Sequence, residues 1–443
     1  MQLTIHRGSK QIGGSCVEIS TPSARIIIDV GLPLDDVTEA QKPKPRLERG
    51  KPIPEGLAPV VDGLFAAGRK VDAIFLSHAH ADHSGLLSHT HPDIPVFMTK
   101  GTSKMLLAGS IFAAQCGVPR EHQRLMEPRK PVVIGDLTIT PYSVDHSTFD
   151  CVALLVESGL KRVLYSGDLR LHGRKPGMAR ELIRAVKSPQ LDALIMEGTH
   201  FSGHRERGPT EKELEVEIAG HVKTAEGLVC AIFSPMHVDR LVSFYKAARK
   251  QGRTFVVDVY GAYVLHLVSS QCKIPAPGRA AGIRVLYNAH FERTWERKNL
   301  GKIHRMFTAS RITKDEILQS PKDYVMLFRP SMLRLDFGGV FPPSVKCLYS
   351  YWHGYLVRKE WSEFKAQLAA AGGEFIECHT SGHIFAEDIV TFVKAINPKQ
   401  VVPIHTTNAE EFSKHLENVR LLNDGEAFGL TPRLLQGAVS QQL

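Results

Sequence analysis

The sequence predicts an α/β chain: a core of short strands that is interrupted by an insertion and then resumed. Three observations carry that reading. Through residues 1–204 apolar strands end, one after another, in a side chain able to do chemistry. From 205 to 370 strands alternate with helices in a βα layout that holds no such cluster. From 371 to 443 the first style returns, in Thr380-Ser-Gly-His383 and in Val401-Val-Pro-Ile-His405.

The densest of these strand ends organises the others. Five of six residues from Val71 to Leu76 are apolar, and His78, His80, Asp82 and His83 follow within six positions. Ligands so crowded do not share one helix face, so a tight loop is expected, closing around a cation at ~2.0–2.2 Å. Nitrogen and oxygen donors without cysteine point to zinc or manganese, with room for two ions. The plain alternative is a histidine-rich surface loop, which gives no reason for the apolar strand delivering it. Among the 21 histidines, His89, His91, His122, His172, His221, His237, His266 and His353 show no ligand spacing and are read as ordinary residues.

In chain order, Ala24–Ile28 reads as a buried strand closed by Asp29 and then Gly31. Residues 33–60 carry too much proline and charge for a regular element and are expected to be a loop or lid. A helical segment is expected from Ser84, a strand at Ile94–Met98 and a helix over 102–117. Leu137–Val144 alternates as a half-exposed strand and delivers Asp145 and His146. Lys161–Gly167 does the same for Asp168, and Leu191–Met196 for Glu197, followed by Gly198, Thr199 and His200. In the insertion, Thr210 and Glu213 form a capping box, Gly227–Phe233, Arg253–Asp258 and Asp323–Phe328 read as strands, and Val238–Lys250 as a helix. A helix from Ala386 to Ile396 precedes the last strand, and the tail beyond Glu410 reads as a short helix and an irregular end.

Composition narrows the class. With 43% hydrophobic and 23% charged residues in 443, the chain reads as an ordinary globular protein large enough for two or three domains. No run of 18 apolar residues and no signal-peptide layout occurs, so a cytoplasmic location without a membrane is expected. Seven scattered cysteines, never in a C-x-x-C pair, read as reduced thiols. A net charge of +9 attracts polyanions, whether nucleic acid or acidic lipid. Between Arg279 and Lys314 basic residues outnumber acids, and Arg293, Arg297, Lys298 and Arg305 interleave with Tyr287, Phe291, Trp295 and Phe307. That pattern fits a phosphate-binding surface or, equally, a solvated helix face such as the Arg293–Glu296 pair would make.

The ordered set His78-x-His80-x-Asp82-His83, His146, Asp168 and the early Asp29 resembles the motifs of the metallo-β-lactamase fold. Glu197, His383 in Ser-Gly-His and His405 in Pro-Ile-His resemble the three further motifs of its β-CASP nucleases, over nearly the whole chain. The resemblance implies an αββα sandwich with an inserted α/β β-CASP domain, and a groove between them. It implies two zinc ions, or manganese: His78, His80 and His146 on the first, Asp82, His83 and His405 on the second, Asp168 bridging, and Asp29 orienting ligands from behind. Asp82, Glu197 and His383 would be the catalytic residues, His383 contacting the scissile phosphate or protonating the leaving oxygen. The chemistry agrees, because two cations ~3.5–4 Å apart supply both a nucleophile at neutral pH and charge neutralisation for an unreactive phosphodiester.

Single-stranded RNA is the expected partner, since His405 resembles the RNA-processing members. A DNA nuclease or nucleotide phosphodiesterase, or a non-catalytic RNA-binding subunit, are the alternatives, and a thioester or lactam hydrolase lacks the Glu197, His383 and His405 set. A homodimer stays open, as does the choice between internal and 5′-end cleavage. The chain departs from the family at His405-Thr406-Thr407, where relatives carry Gly-Glu, so a supporting carboxylate is expected to be missing or to come from elsewhere. No extra domain before Met1 or after the last motif is visible, so RNA is expected to be held by the core and the insertion.

Overall fold

The structure is a computed structural model that describes residues 1–34, 47, 50–115, 117–203 and 207–430. Much of the expected lid (35–46, 48 and 49), Cys116 and the end from 431 lie outside the described residues.

Three sheets carry the chain. The first holds β1 (Gln2–Arg7), β2 (Cys16–Ser20), β3 (Arg25–Ile28), β4 (Ala73–Phe75), β5 (Val96–Met98) and β6 (Gln123–Leu125). The second holds β7 (Val132–Ile134), β8 (Leu137–Ser143), β9 (Val152–Ser158), β10 (Lys161–Tyr165) and β11 (Ala193–Glu197). The third is parallel throughout: β12 (Val229–Ile232), β13 (Thr254–Asp258), β14 (Ile283–Leu286), β15 (Arg311–Ile312), β16 (Tyr324–Leu327), β17 (Lys346–Tyr349) and β18 (Glu374–Glu377). The chain then returns, adding β19 (Val401–Ile404) beside β11 and β20 (Ala427–Gly429) beside β1.

Side-chain alternation with a period of two makes the first two sheets a sandwich. Ile26 and Ile28 of β3 meet Val152, Leu154 and Val156 of β9 and Ile195 of β11 in one core between the sheets. Residues pointing the other way are apolar too: Ile27 and Ile74 pack with Met105 and Leu106 of the helix over Lys100–Phe112, while Leu155, Leu194 and Met196 pack against Leu182 and Phe392 of covering helices. Strands buried on both faces read as unbroken apolar runs, which is why Ile26-Ile-Ile and Leu194-Ile-Met were legible. The layering is therefore helix, sheet, sheet, helix.

Most helices follow their sequence signals, but the one expected over 102–117 runs over Lys100–Phe112 and is capped at Ala113. After the short turn α1 (Ala81–Ser84) come α2 (Lys100–Phe112), α3 (Gly177–Val186), α4 (Glu211–Thr224) and α5 (Val238–Lys250). The Thr210–Glu213 capping box opens α4 with both reciprocal bonds made. Two expectations about the end of the chain need correcting. The strand 374–377, grouped by sequence with the resumed core, pairs with β17 as the edge of the third sheet, because Glu374-Phe-Ile-Glu alternates equally well in either setting. The tail is not irregular throughout, since Ala427–Gly429 pairs with β1. Three residues are too few to show a period. Among the described residues no helix is long and apolar enough to cross a membrane, and the described cysteines are free.

A buried ionic network ties the third sheet's helices to the sandwich. Glu211, at the start of α4, lies between Arg170 (3.2 Å) and Arg240 (3.1 Å), all three buried. Arg170 also pairs with Asp145 (3.0 Å) and Asp239, and Arg240 donates to the carbonyls of Ser350 (3.2 Å) and Thr380 (3.3 Å). The two arginines hold the Glu211 carboxyl well below the usual carboxylate range against the cost of burial. Removing one partner of a buried pair leaves a charge without solvent, so Glu211→Ala is expected to cost about 3–5 kcal/mol. Urea unfolding measures it; a loss below ~1 kcal/mol would mean the arginines find other acceptors.

Candidate metal centre

Every strand end marked by the sequence converges on one place. Asp29 follows β3, His78 and His80 follow β4, His146 follows β8, Asp168 follows β10, Glu197 ends β11 and His405 follows β19; His383 arrives on the loop after β18. Asp82 and His83 are not in a loop as expected. The backbone N–H groups of His83 and Ser84 bond to the His80 carbonyl and close α1 directly, three residues before the expected helix. Close approach makes this possible: a Cβ on Gly31 would stand 1.7 Å from the Asp82 carbonyl oxygen. Asp29 (φ 58°) and His405 (φ 56°) adopt the left-handed region, rarely used outside glycine and worth of order 1–3 kcal/mol of strain each.

Two groups of ligand atoms meet at Asp168. His80 Nδ1 is 3.2 Å from His78 Nε2 and 3.1 Å from His146 Nε2. A tetrahedral ion with Zn–N bonds of ~2.0–2.1 Å sets its ligand atoms roughly 3.3 Å apart, close to this spacing. On the other side His405 Nε2 is 3.2 Å from Asp82 Oδ2, and His83 belongs to the same group. Asp168 Oδ2 lies 3.7 Å from His78 Nε2, 3.8 Å from His146 Nε2, 3.1 Å from His83 Nε2 and 3.9 Å from His405 Nε2.

The outer ring nitrogens are all engaged. His83 Nδ1 donates to Asp29 (2.7 Å), which also accepts from Tyr165 Oη (2.8 Å) and Ser77 Oγ (2.7 Å). Because the Ser77 proton goes to Asp29, His78 Nδ1 (3.0 Å) donates to Ser77 Oγ. His146 Nδ1 donates to the Gly382 carbonyl at 2.5 Å. Thr199 Oγ1 donates to Glu197 (2.8 Å), so His405 Nδ1 (3.0 Å) donates to Thr199. These bonds fix the tautomers and leave Nε2 aimed at carboxylate oxygens. The Thr199–Glu197 link also answers the departure at Thr406: the carboxylate behind His405 comes from Glu197 through a hydroxyl.

Against the cost of burial, the Asp168 and Asp29 carboxylates push His83 well above the usual imidazole range, so the carboxylates of this centre draw positive charge. Neither Asp168 oxygen, buried, makes a hydrogen bond, and neither does His83 Nε2. Burial holds His78 and His146 well below the usual imidazole range and His80 down to about 4, so all three are neutral donors near pH 7. Burial opposes charge on Asp82 and Asp168, yet the surrounding histidines keep both carboxyls below their usual range. Nitrogen and carboxylate donors of this kind suit zinc or manganese. Beside the cluster, His383 Nδ1 is 3.0 Å from Glu197 and 3.7 Å from Asp168. Burial opposes its charge, but the two carboxylates prevail and push it up to about 9.

Sequence reasoning missed Ser77, Tyr165 and Thr199, which touch ligands and not ions. Only Thr199, two residues after Glu197, carried a positional hint. The basic set is not brought to this cluster: Arg293, Arg297 and Arg305 are exposed over the third sheet, and Lys298 donates to the Ile111 carbonyl (3.0 Å). The aromatics between them pack: Tyr287, Phe291 and Phe307 are buried and Trp295 stacks on His304 at 4.4 Å.

The layering gathers histidine and aspartate donors at its strand ends, as a metal-binding site requires. The pattern of the beta-lactamase superfamily domain matches residues 55–241, and that of the Zn-dependent metallo-hydrolase RNA specificity domain matches residues 374–424. The likeness to the metallo-β-lactamase/β-CASP family rests on these two matches and extends at low identity over nearly the whole chain. The chain is 22% identical to Ribonuclease J of Helicobacter pylori over 98% of this chain and 62% of that one, and 23% identical to Ribonuclease J of Mycolicibacterium smegmatis over 76% and 59%. It thus spans about three fifths of the length of these relatives. A crystal structure of a protein of unknown function from Enterococcus faecalis V583 shares the fold, with a TM-score of 0.76 at 23% identity over 96% of this chain and 99% of that one.

Asp29 tests the outward bonds. Asp29→Asn keeps the size and tolerates the left-handed backbone but weakens the acceptor behind His83, so zinc affinity is expected to fall ~10–100-fold. Competition with a chromophoric chelator measures this, and unchanged affinity would show that His83 needs no such support.

Proposed function

We propose that this protein is a ribonuclease that hydrolyses phosphodiesters of single-stranded RNA. The observation that carries the reading is one buried carboxylate, Asp168, whose Oδ2 stands 3.1 to 3.9 Å from His78, His83, His146 and His405, beside the His383–Glu197 pair. The RNA specificity pattern over 374–424 supports the substrate class. In this reading His78, His80 and His146 hold one cation, Asp82, His83 and His405 a second, and Asp168 serves both. Bound there, divalent cations supply Lewis acidity that acidifies water and offsets phosphate charge.

The chain's own residues do the rest. Asp29 and Thr199 keep His83 and His405 in the ligating tautomer. Glu197 holds the His383 Nδ1 proton, which leaves Nε2 to deliver a proton to the departing ribose 3′-oxygen. That oxygen leaves poorly as an alkoxide, and an imidazolium charged at pH 7 is a suitable acid for it.

His383→Ala is therefore expected to slow RNA hydrolysis ~10²–10⁴-fold. A p-nitrophenyl phosphodiester, whose leaving group needs no proton, should lose far less. Equal losses on both would reassign His383 to phosphate or metal binding. The substrate itself is tested by digesting 5′-labelled RNA and DNA single strands of one sequence with metal-replete protein. We expect the RNA to be cut, its product lengths reporting internal or 5′-end attack. Preference for the DNA strand would move the reading to a DNA nuclease, and no cleavage of either would overturn it.

A further inference from the structure

Among the described aromatic side chains, Trp352 alone is exposed, at 38%. It does not stand alone. His353 and Val357 of the same loop are also exposed, Tyr355 sits edge-on to the indole at 5.4 Å, and Arg358 lies 4.9 Å over the Tyr355 ring. The indole is held in place. A Cβ on Gly354 would stand 2.3 Å from the Trp352 ring, so the ring lies across the loop's own backbone at a residue without a side chain. Tyr349 Oη donates to the Trp352 carbonyl (3.1 Å), and His353 pairs with Glu377 at 2.7 Å. A ring fixed this way offers contact area without much conformational entropy left to lose.

Its place in the fold says what it faces. The loop leaves the carboxyl end of β17, and in open parallel sheets ligands gather at that edge. Neighbouring β18 runs parallel and ends at the same edge in the loop that carries His383. Ser350 joins the two loops: its Oγ donates to the Cys378 carbonyl, and His379 Nδ1 donates to its own carbonyl at 3.0 Å. Two residues reach at most about 7 Å and five about 18 Å, so Trp352 stands within a few nucleotides of His383. Arg358 and Lys359 follow, Arg358 over the Tyr355 ring and Lys359 paired with Glu363 at 3.5 Å.

We propose that the Tyr351–Arg358 loop is a base-stacking platform for the strand that occupies the metal centre, with Trp352 as its outer ring. The proposal rests on the RNA reading above and adds a source of preference to it. Every base has a flat face, so stacking is tolerant of sequence, yet only unpaired bases can offer that face to a side chain. The platform thus selects single strands over duplexes without reading sequence.

The probe is a 2′-O-methyl oligoribonucleotide, single-stranded or annealed to its complement, titrated into the full chain. Trp352→Ala is expected to bind the single strand roughly 10- to 100-fold more weakly and to lose most of its advantage over the duplex. Trp352→Phe, which restores a flat ring, should recover most of both. If Trp352→Ala binds the single strand as the parent does, the platform is overturned while the RNA reading stands. If the parent binds no oligonucleotide, the RNA reading fails first and the platform with it. Unchanged oligonucleotide affinity with an altered sedimentation coefficient would assign the loop to self-association and overturn the platform.

Discussion

Four imidazoles turn their Nε2 atoms toward one buried carboxylate, and much of the structure exists to hold them there. Each is fixed from behind: His83 by Asp29, His78 by Ser77, His146 by the Gly382 carbonyl and His405 by Thr199. Their Nε2 nitrogens stand 3.1 to 3.9 Å from Asp168 in a place that water does not reach, and the carboxylates push the nearest of them, His83, well above the usual imidazole range. Burying a carboxylate is costly, so a cation bound there is expected to stabilise the fold. The left-handed backbone at Asp29 and His405 is part of the same constraint. Strain of that order persists only where packing over-determines it, and the doubly covered sandwich provides that packing.

The third sheet is coupled to this centre through charge. Asp145 precedes His146 and Arg170 follows Asp168 by two residues, so the Asp145–Arg170–Glu211–Arg240 chain starts in the ligand loops and ends on the Thr380 carbonyl, three residues before His383. Movement of α4 or α5 would be felt by the loops of His146 and Asp168 and by the loop of His383. Ionic pairs are directional and penalise separation of charge more than apolar contacts do, which suits a junction that must set one geometry.

The ligands were legible because each sits where an apolar run stops, and such runs survive reading without tertiary information. Val238–Lys250 and Ala386–Ile396 were legible for a similar reason, having long periods and clear caps or flanks. What escaped had no local pattern. The β18 strand alternates as well in one sheet as in another, Ala427–Gly429 is too short to show a period, and α1 is one turn closed by the His80 carbonyl. Tyr165 matters only through Asp29, 136 positions away, and Ser77 and Thr199 add to their local contacts with His78 and Glu197 others across 48 and 206 positions, which no window contains. The Arg279–Lys314 stretch was legible as basic but not as to what it faces, because its aromatics pack inward.

Anomalous diffraction from crystals of the metal-replete protein, recorded at the zinc and manganese edges, tests the central claim most directly. The account requires two peaks, one among His78, His80 and His146 and one among Asp82, His83 and His405, with the Asp168 carboxylate between them. A single peak, or none at these residues while the protein is active, would contradict it.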